Sequence, residues 1–138
     1  MKITYNDKLM ALGSCFSENI GSKLDNAFFQ VNINPFGVLY NPLSVSKSLE
    51  TLMDEHTFSI DDVFEYQFLW SSFSHSSLFS GATQNECLEK INSSTTTAID
   101  FLKKTRFLLI TLGTAWVYED EKSGEIVANC HNIAIKEI

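Results

Sequence analysis

A serine that could act as a nucleophile stands near the start of the chain, within Leu9–Phe16. The apolar residues Leu9 to Leu12 read as a short buried strand, which Gly13 and Ser14 interrupt before a helix-forming stretch begins. Such a turn presents a small side chain and unpaired backbone N–H groups at the carboxyl edge of a sheet, where open α/β folds bind ligands. Ser14 is therefore the first candidate catalytic residue.

Two histidines could supply the general base that a serine nucleophile needs. His131 follows a predicted hairpin, so we expect it near the carboxyl end of the third principal strand, lining the pocket. His75 lies in the serine-rich segment 74–77, where an exposed side chain is expected. Both histidines are kept as candidates, as substrate contacts or as the base.

The three cysteines are far apart in the sequence and form no C-x-x-C pair. This disfavours a disulfide framework and a metal site, and it favours reduced thiols in a cytoplasmic protein. Cys15 is a rival nucleophile to Ser14, although we expect its side chain to point toward the core. A lipoprotein signal ending at Cys15 is a further alternative, but the apolar stretch before it is too short.

Composition narrows the classes of partner. The chain has 138 residues, 44% of them hydrophobic, and a formal net charge of −7. An acidic chain without a basic face is unsuited to nucleic acid, and no apolar run is long enough to span a membrane. We expect one domain over residues 1–138, with no cofactor and a small-molecule substrate.

The elements around Ser14 read as a β-α-β unit. We expect a strand over Lys8–Leu12, a helix capped by Ser17, and a second strand over Gln30–Ile33 that lies parallel to the first. The inward helix positions should be Ile20, Leu24, Ala27 and Phe28.

The rest of the chain gives further local signals. A Pro- and Gly-containing loop over 34–42 leads into a helix ending near Asp54, capped by Asn41, and an aromatic, serine-rich excursion covers 60–79. The aromatic side chains of that excursion could form core or line a substrate site. Further predicted elements are a helix over 84–103, a central parallel strand over 106–112, and a hairpin with strands at 116–119 and 125–128.

Five short segments follow one another along the chain: Gly13-Ser14-Cys15-Phe16-Ser17, Asn34-Pro35-Phe36-Gly37, Ser74-His75-Ser76, Leu112-Gly113-Thr114-Ala115-Trp116-Val117-Tyr118 and Val127-Ala128-Asn129-Cys130-His131. In this order they resemble the bacterial GSCFA family, and the resemblance covers nearly the whole chain. The family is related to the SGNH (GDSL-like) esterases and lipases. The resemblance implies a flavodoxin-like, three-layer α/β/α fold with a parallel sheet, incomplete at the carboxyl end.

The resemblance also implies roles for particular residues. Ser14 corresponds to the nucleophile, Gly37 to the glycine whose N–H lines the oxyanion hole, and Gly113 to the start of the third conserved block. Cys15 and Thr114 adjoin these positions and are expected to take part in oxyanion or substrate binding. Asn129 is a candidate for the oxyanion-hole asparagine.

The chain departs from the SGNH pattern at two places. Gly113-Thr114-Ala115-Trp116 replaces G-x-N-D, and no Asp-x-x-His occurs, so the usual base is missing. We therefore interpret the chain as an amino-terminal portion of such a domain. Two functions are kept open. One is a serine esterase acting on acylated carbohydrate or lipid, expected to be inactive or incomplete as the isolated chain, and the other is a non-catalytic binding or assembly module that forms homo-oligomers through an uncovered sheet edge.

Overall fold

A parallel three-stranded sheet organises the molecule. The computed structural model describes residues 2–128 and 135–137, and the sheet consists of β1 (Lys8–Gly13), β2 (Gln30–Ile33) and β5 (Thr105–Thr111) in the order β2-β1-β5. The other elements are α1 (Cys15–Asn26), α2 (Pro42–Met53), β3 (Phe64–Tyr66), β4 (Leu69–Ser71), α3 (Gln84–Leu102), β6 (Tyr118–Asp120), β7 (Ile126–Val127) and β8 (Ile135–Glu137), with 3-10 turns at Ile60–Asp62 and Ser77–Phe79.

Helices cover both faces of this sheet. Met10 and Leu12 of β1 are buried in a core that includes Val45 and Leu52 of α2 and Ile91 of α3. Side chains alternate between the faces of a strand, so the intervening residues of β1 point to the opposite face, which α1 covers. The architecture is a mixed α/β fold compatible with a flavodoxin-like arrangement, as predicted.

Helix α1 begins at Cys15, three residues before the predicted start. The prediction of Ser17 as N-cap is wrong: Ser14 caps the helix, and Ser17 is buried inside its first turn. Of the predicted inward positions, Ile20 and Leu24 are half-buried, whereas Ala27 and Phe28 are exposed. The buried face is completed by Gly21, which packs closely on Ile33 of β2.

The second helix and the aromatic excursion largely follow their predictions. Asn41 caps α2 by accepting a hydrogen bond from the Ser44 N–H (2.8 Å), although Met53, predicted to face inward, is exposed. The excursion forms the antiparallel hairpin β3-β4. The aromatic side chains of the excursion do not share one environment: Trp70 packs against the core, whereas Phe68 is exposed.

Strand β5 lies at the edge of the described sheet and not at its centre. It pairs in parallel with β1, and within residues 2–128 and 135–137 no strand pairs with its other edge. The predicted hairpin is confirmed as β6-β7, and β8 adds a third strand to it. No helix in the described part of the chain is long and apolar enough to cross a membrane.

Candidate active site

Ser14 occupies the turn between β1 and α1, at the carboxyl edge of the parallel sheet. Because β2 and β5 lie on opposite sides of β1, the chain reverses its direction across the sheet here, which is where open α/β sheets bind ligands. Gly13 has a φ of +124°, and an added Cβ would collide with the carbonyl oxygen of Thr111. Glycine is therefore required immediately before Ser14 for the turn to pass so close to β5.

The loop that follows β2 holds this turn from one side. The Gly13 N–H donates to Asn34 Oδ1 (2.9 Å), and the Leu39 N–H donates to the Gly13 carbonyl (2.9 Å). From α3, Ser94 Oγ donates to the Pro35 carbonyl (2.7 Å), which ties the loop to the far helix. The turn and the loop thus form one hydrogen-bonded unit.

Ser14 itself is held at several atoms. Its N–H donates to the Thr111 carbonyl (3.0 Å), and its Oγ accepts from the Phe16 N–H (3.3 Å) as the cap of α1. The residue is only 6% exposed. Its hydroxyl is therefore part of the packed structure as well as a candidate nucleophile.

Ser17 and Thr111, which were not among the predicted site residues, complete a chain of hydroxyls from Ser14. Ser14 Oγ lies 2.8 Å from Thr111 Oγ1, which lies 2.7 Å from Ser17 Oγ, and Ser17 Oγ donates to the Leu12 carbonyl (2.9 Å). Thr111 is the register partner of Gly13 in the parallel pair. The signal for Thr111 in the sequence is its place near the carboxyl end of the predicted strand over 106–112, which the parallel pairing sets beside the end of the first strand.

The backbone amides assigned to the oxyanion hole already have acceptors. The Gly37 N–H donates to the Asn34 carbonyl (2.7 Å), while those of Gly113 and Thr114 donate to the Tyr40 carbonyl (2.8 and 3.1 Å). Gly113 does lie beside the nucleophile, since a Cβ added there would come within 3.4 Å of Ser14 Cβ. These residues shape the site, but their amides are engaged in this structure.

Cys15 offers a different donor. It is the first residue of α1, so within the helix its N–H has no carbonyl acceptor, and it stands at the positive end of the helix dipole. The Cys15 residue is exposed, and the expectation that its side chain points toward the core is wrong. Cys87 is the cysteine that fills the core, and burial raises the pKa of its thiol.

His75 lies in the core, so the expectation of an exposed side chain is also wrong. Its ring is fully buried, stacks on Phe36 with ring centroids 4.6 Å apart, and meets Phe58 edge-on at 4.8 Å. Its Nδ1 lies 3.1 Å from Ser72 Oγ. His75 therefore supports Phe36, the residue before Gly37, and a role as base remains a prediction.

The remaining predicted site residues, His131 and Asn129, lie outside the described residues. The chain approaches them through Val127 and Ala128, both buried, and the Ala128 N–H donates to the Phe73 carbonyl (2.7 Å). Ser44, close to the start of α2, donates to the Val127 carbonyl (3.3 Å). Val127 and Ala128 are thus packed on the second helix and on the aromatic excursion.

Comparison with known proteins identifies the family. Neither the curated proteins nor the solved structures gave a match to this chain. The model of the GSCFA family matches residues 8–137, a range that contains the strand-turn-helix around Ser14 and all three strands of the parallel sheet. The chain therefore belongs to the GSCFA family.

Proposed function

We propose that this GSCFA chain is a cytoplasmic serine hydrolase that cleaves esters of acylated carbohydrates or lipids, with Ser14 as the nucleophile. The observation that supports this proposal is the position of Ser14 at the carboxyl edge of β1, at the amino terminus of α1 and beside Gly113. A nucleophile placed there has the positive end of a helix beside it. Charge that develops on an attacked carbonyl oxygen is stabilised by such a dipole.

The proposed reaction has two steps. Ser14 Oγ attacks the ester carbonyl carbon, and its proton passes to a general base while the negative charge develops on the carbonyl oxygen. Collapse of this intermediate breaks the ester C–O bond, and the base returns the proton to the leaving alcohol. Water then hydrolyses the acyl-serine by the same route.

We assign the base to His131, because the described ring contacts of His75 belong to the aromatic core. For the oxyanion we assign the Cys15 N–H as a donor, since the amides of Gly37 and Gly113 are already bonded to loop carbonyls. Removal of one oxyanion donor typically costs about 10²–10³ in kcat. The Cys15 donor is a backbone group, so substitution of its side chain should leave it in place.

Hydrolysis of a short-chain nitrophenyl ester tests the proposal. The wild type should hydrolyse the ester and Ser14→Ala should fall to the rate of buffer alone. Cys15→Ala, which removes the rival nucleophile and keeps the backbone donor, should retain activity. Equal rates for the wild type and Ser14→Ala would remove Ser14 from the mechanism.

A second candidate function, assembly of identical chains, is favoured by the edge of β5 that no strand in the described part of the chain covers. Three apolar side chains of β5 and the residue after it are about half exposed: Leu108 (45%), Ile110 (47%) and Leu112 (54%). These alternate side chains lie on one face of the sheet, beside the strand backbone at its edge, and such an edge is a template for pairing with another strand. We propose a second copy of this chain as the partner, and light scattering over a range of protein concentrations measures it.

A further inference from the structure

The direction of each hydrogen bond in the hydroxyl chain at Ser14 follows from its last acceptor. A backbone carbonyl only accepts hydrogen bonds, so Ser17 Oγ donates its single proton to the Leu12 carbonyl (2.9 Å). The bond between Ser17 and Thr111 (2.7 Å) must then use the proton of Thr111. It follows that the bond between Thr111 and Ser14 (2.8 Å) uses the proton of Ser14.

We infer that Thr111 and Ser17 are positioning residues that hold the Ser14 hydroxyl as a proton donor to Thr111. This inference rests on the proposed role of Ser14 as nucleophile. The Leu12 carbonyl is not a base, so the hydroxyl chain orients the Ser14 proton but cannot remove it. The first step of the reaction therefore includes rotation of the Ser14 hydroxyl away from Thr111 and toward the base.

The same ordering opposes negative charge on Ser14 Oγ. While Thr111 donates to Ser17, it turns a lone pair toward Ser14, and a developing alkoxide needs donors around it. If Ser17 lost its hydroxyl, Thr111 would be free to reverse and donate to Ser14 Oγ. The Ser14 proton would then be available to the base, and its oxygen would gain a donor.

The test uses a fluorophosphonate probe, which reports on the nucleophile alone. Ser14 Oγ forms a bond to phosphorus, the P–F bond breaks, fluoride leaves, and the serine proton passes to the base. We expect Ser17→Ala to raise the maximal labelling rate about tenfold, the effect of one good donor to a charged oxygen. The probe concentration for half-maximal rate should not change, since probe binding is not affected.

Three further variants separate orientation of the proton from a general loosening of the fold. Ser48→Ala is the matched control, because Ser48 is also a buried helical serine whose hydroxyl donates to a backbone carbonyl, that of Val45 (2.8 Å). It should label at the wild-type rate. Adding Thr111→Val to Ser17→Ala should abolish the gain, whereas adding Thr111→Ser, which retains a hydroxyl, should keep it.

The outcomes distinguish the inference from the function on which it rests. Mass spectrometry that places the label on Ser14, with the gain in Ser17→Ala dependent on a Thr111 hydroxyl, supports the inference. Labelling of Ser14 at equal rates in Ser17→Ala and Ser48→Ala, or a gain that persists with Thr111→Val, overturns it while the proposed function stands. If no variant is labelled at Ser14, the proposed function fails and the inference fails with it.

Discussion

Glycines and a serine fix the backbone around the candidate site because larger side chains do not fit there. Gly37 has a φ of +78°, and a Cβ at this position would collide with Ser76 Oγ and lie 2.5 Å from Ser76 Cβ. The Ser76 N–H in turn donates to the Phe36 carbonyl (2.8 Å). Gly37 is thus constrained by backbone conformation and by close packing, a role distinct from the oxyanion donor that the family resemblance implied.

Gly37→Ala should destabilise the protein by about 2–4 kcal/mol, because left-handed strain and steric overpacking add. Gly124→Ala is the matched control: its φ of +69° is similar, but no atom lies within 4 Å of the added methyl. That variant should lose only about 1 kcal/mol, the backbone cost alone. Urea unfolding measures both, and equal losses would show that the contact with Ser76 is not tight.

An ion pair joins Asp7, the residue before β1, to Arg106 near the start of β5, at the opposite end of these strands from Ser14. Arg106 Nη1 lies 2.7 Å from Asp7 Oδ1, and Asp7 Oδ2 accepts from the N–H and the hydroxyl of Thr4. The hydrogen bond from Arg106, followed by those from Thr4, lowers the pKa of the Asp7 carboxyl below its usual 3.8. The ionised form of Asp7 is therefore the form that the fold favours.

This lowered pKa predicts a stability that depends on pH. The contribution of Asp7 should be fully present above its unfolded-state pKa of about 3.9 and should be lost as the pH falls through the folded-state value. Asp7→Asn should therefore be less stable than the wild type at pH 7, and the difference should shrink toward pH 3. A difference in melting temperature that stays constant from pH 7 to pH 3 would contradict this role.

Sequence predicted the elements whose signals are local. The start of α2 is set by the neighbouring residues Asn41 and Pro42, and β2 has the predicted bounds Gln30–Ile33. The start of α1 was misplaced because the Ser17 hydroxyl bonds to Thr111, which is 94 residues away and invisible to a local pattern. The burial of His75 has the same cause, since two of the rings packed against it, Phe36 and Phe58, come from outside the excursion over 60–79.

The candidate site shows the same division between local and distant information. Sequence placed Ser14 at a strand-to-helix turn, because Gly13 and the apolar run before it are neighbours in the chain. It could not show that the amides of Gly113 and Thr114 donate to Tyr40, a contact made across more than 70 residues. Their engagement follows from the packing of the segment after β5 against the loop that contains Tyr40.

In the proposed assembly, copies of the molecule associate through the edge of β5 that no described strand covers. If two β5 edges pair antiparallel about a twofold axis through Leu109, each Leu108 faces Ile110 of the other copy. Arg106 then faces Leu112, so the two arginines stand at opposite ends of the interface. Such pairing buries apolar side chains and places no like charges opposite each other, which is the arrangement that stable strand pairs require.

Ile110→Lys should therefore prevent the association. Because Ile110 is already half exposed, the lysine should leave the folded monomer intact, yet its charge would have to lose water if the edge became covered. Met53→Lys is the matched control, since Met53 is 74% exposed at the end of α2 and away from β5. Light scattering after size exclusion should show a dimer for the wild type and for Met53→Lys and a monomer for Ile110→Lys. A wild-type monomer at every concentration, or a dimer that survives Ile110→Lys, would rule out pairing through β5 and leave hydrolysis at Ser14 as the function to pursue.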